Sequence, residues 1–117
     1  MIRPALRDIE VYLCIEPVDF RKQINGLPLW VESAMSLDPL SQAVFAFTNR
    51  RRDRVKLLTW EGNGYVMWQK RLEVDRFHWP RADESVVTLT GQELNFLLDG
   101  LDLRFFRPHR ALHYEVA

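Results

Sequence analysis

Residues 44–79, VFAFTNRRRDRVKLLTWEGNGYVMWQKRLEVDRFHW, constrain the fold more than any other stretch. Apolar and polar side chains alternate here with a period near two, which places alternate residues on opposite faces of a strand. Val55, Leu57 and Thr59 fall on one side of the second run, with Lys56, Leu58 and Trp60 on the other. Val44-Phe45-Ala46-Phe47 is almost wholly apolar, as a strand covered on both faces would be. Two turn signals separate the runs. Glu61-Gly62-Asn63-Gly64 supplies residues that accept positive φ and predicts a tight hairpin. The other turn, around residues 48–53, is dense in arginine. Phe77-His78-Trp79 is a short extended piece closed by Pro80. The stretch therefore predicts an antiparallel meander over 44–79.

The flanks add one strand and two helical regions. Ile9, Val11, Leu13 and Ile15 alternate with Glu10, Tyr12 and Cys14, predicting a strand over 9–15 that stops at Pro17. Asp19 is placed to cap a short helical segment starting at Phe20, and Asn25-Gly26 interrupts it. A second helix is expected from Leu27 to Met35, with Leu27, Trp30, Val31 and Ala34 at helical spacing. Residues 85–89 read as another short strand. Thr90-Gly91-Gln92-Glu93 has the form of a capping box, and Gly100 follows the last apolar turn. The expected fold is α+β. A small antiparallel sheet, the meander plus the N-terminal strand, packs with helices near 20–36 and 91–99. The 117 residues suit one domain, with 1–8 and 103–117 as peripheral segments.

Charge is distributed unevenly although its sum is zero. Residues 50–76 carry eight basic and four acidic side chains, whereas 1–49 and 77–117 each carry four basic and six acidic. Arg50, Arg51, Arg52, Arg54 and Lys56 crowd the first turn of the meander, and Lys70 and Arg71 lie on the neighbouring strand. Guanidinium groups projecting from a hairpin neutralise phosphates well, and a two-stranded ribbon fits a DNA major groove. The plain alternative is a solvated turn whose charges protect a sheet edge, with Asp53 as an internal partner. Trp60, Tyr65 and Trp68 offer a base-stacking platform, against the commoner role of core packing.

Catalytic signatures are missing from the sequence. There is no nucleophile elbow, no phosphate-binding glycine loop and no zinc-ligand spacing. Asp8 with Glu10, Glu73 with Asp75, and Asp83 with Glu84 are local acidic pairs of the kind usually solvated. His109 and His113 are four apart but lack a third ligand. No enzyme activity, cofactor or metal is expected. Cys14 is the only cysteine, which fits a reducing compartment, and it is expected to pack as a small hydrophobe. The first residues lack the apolar core of a secretory signal, and no apolar run reaches membrane-span length. A cytoplasmic protein is the expectation.

One resemblance draws these pieces together. Its elements are Val11-Tyr12-Leu13, Pro17-Val18-Asp19-Phe20-Arg21-Lys22, Asn25-Gly26-Leu27, Asp38-Pro39-Leu40, Val44-Phe45-Ala46-Phe47 and residues 49–58. They continue with Trp60-Glu61-Gly62-Asn63-Gly64-Tyr65, Lys70-Arg71-Leu72-Glu73, Arg76-Phe77 and Trp79-Pro80. In order and spacing, from about residue 9 to residue 102, the chain resembles the TnpB-type accessory proteins of the bacterial insertion sequences numbered sixty-six. These are products of a second open reading frame, unrelated to the RNA-guided nucleases that share the name. Phe20 stands where the family commonly has Met, and Gln23 where it has Gly. The resemblance implies an accessory role in transposition beside a separate transposase, and carries over no catalytic residue. Two expectations follow. In the first, Arg50, Arg51, Arg52, Arg54, Lys56, Lys70 and Arg71 contact DNA without catalysis. In the second, the same surface docks on the transposase of the same element without touching DNA.

Overall fold

The computed structural model describes residues 8–21 and 26–105. Five strands form one sheet: β1 (Val11–Cys14), β2 (Val44–Thr48), β3 (Arg54–Glu61), β4 (Gly64–Arg71) and β5 (Val86–Leu89). Their spatial order is β4-β3-β2-β1-β5. Helix α1 (Gly26–Ser33) lies between β1 and β2 in the chain. Helix α2 (Gly91–Leu98) follows β5, and a short 3-10 turn spans Leu103–Phe105. The fold is α+β with a small sheet.

The sheet is mixed rather than purely antiparallel. β1 and β2 run parallel, with Val11 opposite Val44 and Leu13 opposite Ala46. The physical reason is the connection. A strand can return parallel to its neighbour only after a long crossover, and the segment carrying α1 supplies one. All other pairings are antiparallel. The meander itself is β2-β3-β4 and ends at Arg71, short of the expected residue 79. Phe77 to Trp79, expected to be extended, lies outside the sheet and is turned on itself, the Trp79 amide donating to the Phe77 carbonyl at 2.9 Å. Its amide at Phe77 bonds to the Arg52 carbonyl at 2.7 Å, and Trp79 Nε1 donates to the Cys14 carbonyl at 2.9 Å. The segment thereby buries Phe77 and Trp79 beneath the sheet while carrying the chain from β4 at one edge to β5 at the other.

Alternation along the strands sorts the core into two layers. Val11, Leu13, Val44, Ala46, Val55 and Leu57 meet α2, β5 and the 77–79 segment on one face. Cys14, Phe45, Phe47 and Leu58 meet Val18 and the Leu27 and Val31 stripe of α1 on the other. The apolar character of β2 follows, since all five of its residues are buried between these layers. Cys14 packs as a small hydrophobe, accepting from Trp30 Nε1 at 3.3 Å, and burial pushes its thiol pKa up.

The local signals in the sequence are realised in three places. The glycine turn is a two-residue hairpin with Gly62 at φ 61°, and Glu61 faces Gly64 across it. Glycine at the first central position is what a II′ hairpin turn requires. The Thr90 hydroxyl accepts from the Glu93 amide while the Glu93 carboxylate accepts from the Thr90 amide, closing the capping box. At the other end of α2, Gly100 (φ 85°) donates to Leu97 and Leu101 donates to Phe96, the two bonds of a Schellman motif.

The region near 20–36 departs from expectation. Phe20 and Arg21, where a helical segment was expected after Asp19, form a turn. The Asp19 carboxylate accepts from the Arg21 amide and pairs with the Arg21 guanidinium at 2.7 Å, which closes this local turn. Residues 22–25 lie outside the described residues. Helix α1 starts at Gly26, tolerates Pro28 in its first turn, and ends at Ser33 rather than Met35. Leu103, expected to open a peripheral segment, is fully buried against the α2 layer. Among the described residues no helix is long and apolar enough to cross a membrane.

Candidate nucleic-acid interface

The arginine turn is built by Asn49. Its side-chain carbonyl accepts from the Arg54 amide at 3.1 Å, and its Nδ2 donates to Asp53 Oδ1 at 2.6 Å. Its backbone carbonyl accepts from the Arg52 amide at 3.0 Å. Thr48, buried at the end of β2, adds a hydroxyl bond to the Arg54 carbonyl. Asp53 O accepts from Leu72, tying the turn to the end of β4. The Asp53 carboxyl is held below the usual carboxylate range, chiefly by the Asn49 bond, with the charges of Arg54 and Arg51 assisting against some burial. Asp53 is thus an architectural acceptor as well as a counter-charge.

Strand alternation then divides the seven basic residues into three groups. Arg50 and Arg51 are exposed at the turn. Arg54 and Arg71 stand opposite each other on β3 and β4, on the α1 side of the sheet. With Arg21, Phe20 and Pro17, residues Arg50, Arg51 and Arg54 line an open groove of about 820 Å³. Among the described residues, Arg50, Arg51 and Arg54 make no ion pair within 4.0 Å, whereas Arg71 pairs with Glu73 at 3.1 Å. That pair is solvent-exposed and so holds Arg71 only weakly.

The second group is committed to the fold. Lys56 Nζ donates to the Phe20 carbonyl at 3.3 Å and sits 4.7 Å from the centre of the Phe20 ring. Burial, with Arg54 nearby, lowers its pKa. Lys70 is opposite Val55 in the sheet and therefore faces the α2 layer, away from Arg54 and Lys56. Its Nζ donates to the Leu98 carbonyl at 2.8 Å, at the C-terminal end of α2. A shared surface for Lys70 and the turn arginines is thereby excluded. The third group is Arg52, which takes a left-handed conformation (φ 60°) and feels the charges of Arg81 and Arg76.

The aromatic platform is also divided. Trp60 and Tyr65 are cross-strand partners in edge-to-face contact, with ring centres 5.0 Å apart. Trp68, opposite Leu57, packs against the other face. The three rings therefore share no surface on which bases could stack in series. Of the local acidic pairs, Glu10 accepts from Tyr12, Glu73 pairs with Arg71, and Asp83 and Glu84 are exposed. Among the described residues no three His, Cys, Asp or Glu side chains are grouped to hold a metal ion. His109 and His113 lie outside the described residues.

Sequence reasoning missed Asn49, Arg21, Arg76 and Arg81. Asn49 had a readable signal, since asparagine at a strand end before a polar run favours a side-chain-closed turn. The arginines had none, because their proximity depends on how distant loops meet.

The family model described as IS66 Orf2 like protein matches residues 9–108. The chain belongs to the IS66 Orf2-like family. Its members are accessory proteins of transposition associated with insertion sequences. Two relatives come from Sinorhizobium fredii (strain NBRC 101917 / NGR234). The uncharacterised protein y4jC is 34% identical over 102 residues, covering 87% of this chain and 86% of its own. The uncharacterised protein y4hO is 30% identical over 101 residues, covering 86% of this chain and 88% of its own. No solved structure matches. Membership of the IS66 Orf2-like family brings a biological setting and leaves the mode of contact to the geometry.

Proposed function

We propose that this accessory protein contacts the DNA backbone without catalysis, through Arg50, Arg51 and Arg54, with Arg71 alongside. The observation that carries this reading is the groove beside the turn. Three arginines without ion-pair partners among the described residues line it, on a hairpin held in shape by Asn49. Guanidinium groups not already spent on carboxylates release counterions when they meet phosphates, and that release is the main source of sequence-independent affinity. Zero net charge keeps the interaction local to this end of the sheet.

The test is a fluorescence-anisotropy titration of the purified protein with element-end DNA and with unrelated duplex, at several salt concentrations. Three phosphate contacts predict a log–log salt slope of roughly −3, and each reversal among R50E, R51E and R54E should flatten it by about 1. Salt-insensitive binding, or none, excludes backbone contact by this turn.

The second reading is docking on the transposase of the same element. Phe20 in the same groove favours it, because an aromatic anchor with an arginine rim is a common protein hot spot. Co-purification with transposase in the absence of DNA, lost in Phe20→Ala, would select this reading.

A further inference from the structure

Three further arginines do not line the groove. Arg52 belongs to the β2–β3 turn, and Arg76 and Arg81 to the segment that crosses beneath the sheet. The two stretches are clasped where the Phe77 amide donates to the Arg52 carbonyl at 2.7 Å. Arg52 Nε is buried and has no hydrogen-bond partner. None of the three makes an ion pair within 4.0 Å among the described residues, although Asp53, Asp75, Asp83 and Glu84 are close in sequence. Burial, then the charges of Arg81 and Arg76, depress the Arg52 pKa.

Such an arrangement is unfavourable as it stands. A buried donor without an acceptor loses its hydration without replacement, and like charges held together repel. An oxyanion placed among the three would reverse both effects. The planar guanidinium fork matches a phosphate with paired N–H donors, more closely than it matches a spherical ion. We propose that Arg52, Arg76 and Arg81 form a seat for one phosphate group. Three cationic neighbours suit the double charge of a terminal phosphomonoester better than the single charge of a backbone diester. The seat lies apart from the groove of Arg50, Arg51 and Arg54, and it stands or falls without that reading.

The test uses the uniformly ¹⁵N-labelled full-length chain and follows the Arg52 Nε–Hε resonance. Inorganic phosphate should shift this resonance saturably, while sodium chloride of equal ionic strength should not. Arg76→Gln and Arg81→Gln should each weaken the apparent affinity roughly tenfold, the loss of one charge-assisted contact. Both residues have solvent-accessible side chains, and unchanged backbone amide dispersion would verify that the variants fold. A DNA hairpin bearing a 5′-phosphate that moves the resonance, when its 5′-hydroxyl twin does not, assigns the seat to a terminal monoester. Equal response to both hairpins assigns it to the backbone diester. No saturable response to inorganic phosphate, an equal response to chloride, or an unchanged response in a variant carrying both Arg76→Gln and Arg81→Gln overturns the proposal.

Discussion

Lys56 and Lys70 show what a charge count conceals. Both belong to the basic central stretch, yet each is held inside the fold: one on the Phe20 carbonyl and ring, the other on the end of α2. The sorting is dictated by strand parity. Arg54 and Lys56 share a face because they are two residues apart, and Lys70 faces away because it stands opposite Val55. Parity along one strand was readable from the sequence, whereas the register between β3 and β4 was not. Lys70 is therefore expected to matter for stability and not for DNA. Replacing it with Met removes a charge-assisted bond and a favourable charge at the negative end of α2, costing about 1 kcal/mol. Urea denaturation should show that loss, while affinity for duplex DNA should stay within about twofold. A drop in DNA affinity without a drop in stability would return Lys70 to the contact surface.

The elements that were legible are those closed by bonds between near neighbours. The α2 capping box spans three residues, and its Schellman end spans a single turn, so residue type and order suffice to announce them. Thr90→Ala should cost about 1 kcal/mol by removing the cap, and Gly100→Ala a similar amount by placing a side chain at positive φ. Neither should alter DNA binding. The arginine turn obeys a different rule, because its shape and its proposed contact surface depend on the same residue. Asn49→Ala removes the bonds to Asp53 and to the Arg54 amide without changing any charge. It should lower stability by about 1–2 kcal/mol and also weaken duplex binding several-fold, because Arg50, Arg51 and Arg54 lose their common orientation. Anisotropy at constant salt, paired with thermal melts, separates the two effects. Undiminished affinity would mean that the arginines act as a flexible charged cluster.

At the scale of the molecule, the sheet order was the least legible feature. Nothing in Val11–Cys14 specifies a parallel neighbour, because that choice depends on where the α1 crossover delivers the chain. The same holds for the path from β4 to β5, which buries Phe77 and Trp79 and ties Phe77 to the Arg52 carbonyl. A neutral protein thereby gathers Arg50, Arg51, Arg52, Arg54 and Arg76 at the turn end of the sheet.

One carboxylate closes this architecture. Asp102 accepts from the Arg104 amide at 3.0 Å, pairs with its guanidinium at 2.6 Å, and lies 3.9 Å from His78 Nδ1. It thus joins the 3-10 turn to the β4–β5 crossing and fixes Leu103 in the core. The Arg104 hydrogen bonds hold its carboxyl below the usual carboxylate range, with the His78 charge assisting and partial burial opposing. A depressed folded-state pKa means that the unfolded chain binds the proton more readily. The stability contributed is therefore complete above the ordinary aspartate pKa, roughly 4, and declines as pH falls through the lower folded value. Asp102→Asn should melt about 4 °C below the parent at pH 7, the equivalent of about 1 kcal/mol for a domain of this size. Between pH 4 and pH 2 the two melting curves should converge, because the parent loses the same charge by protonation. A gap that persists unchanged at pH 2 would show that Asp102 acts through shape rather than charge.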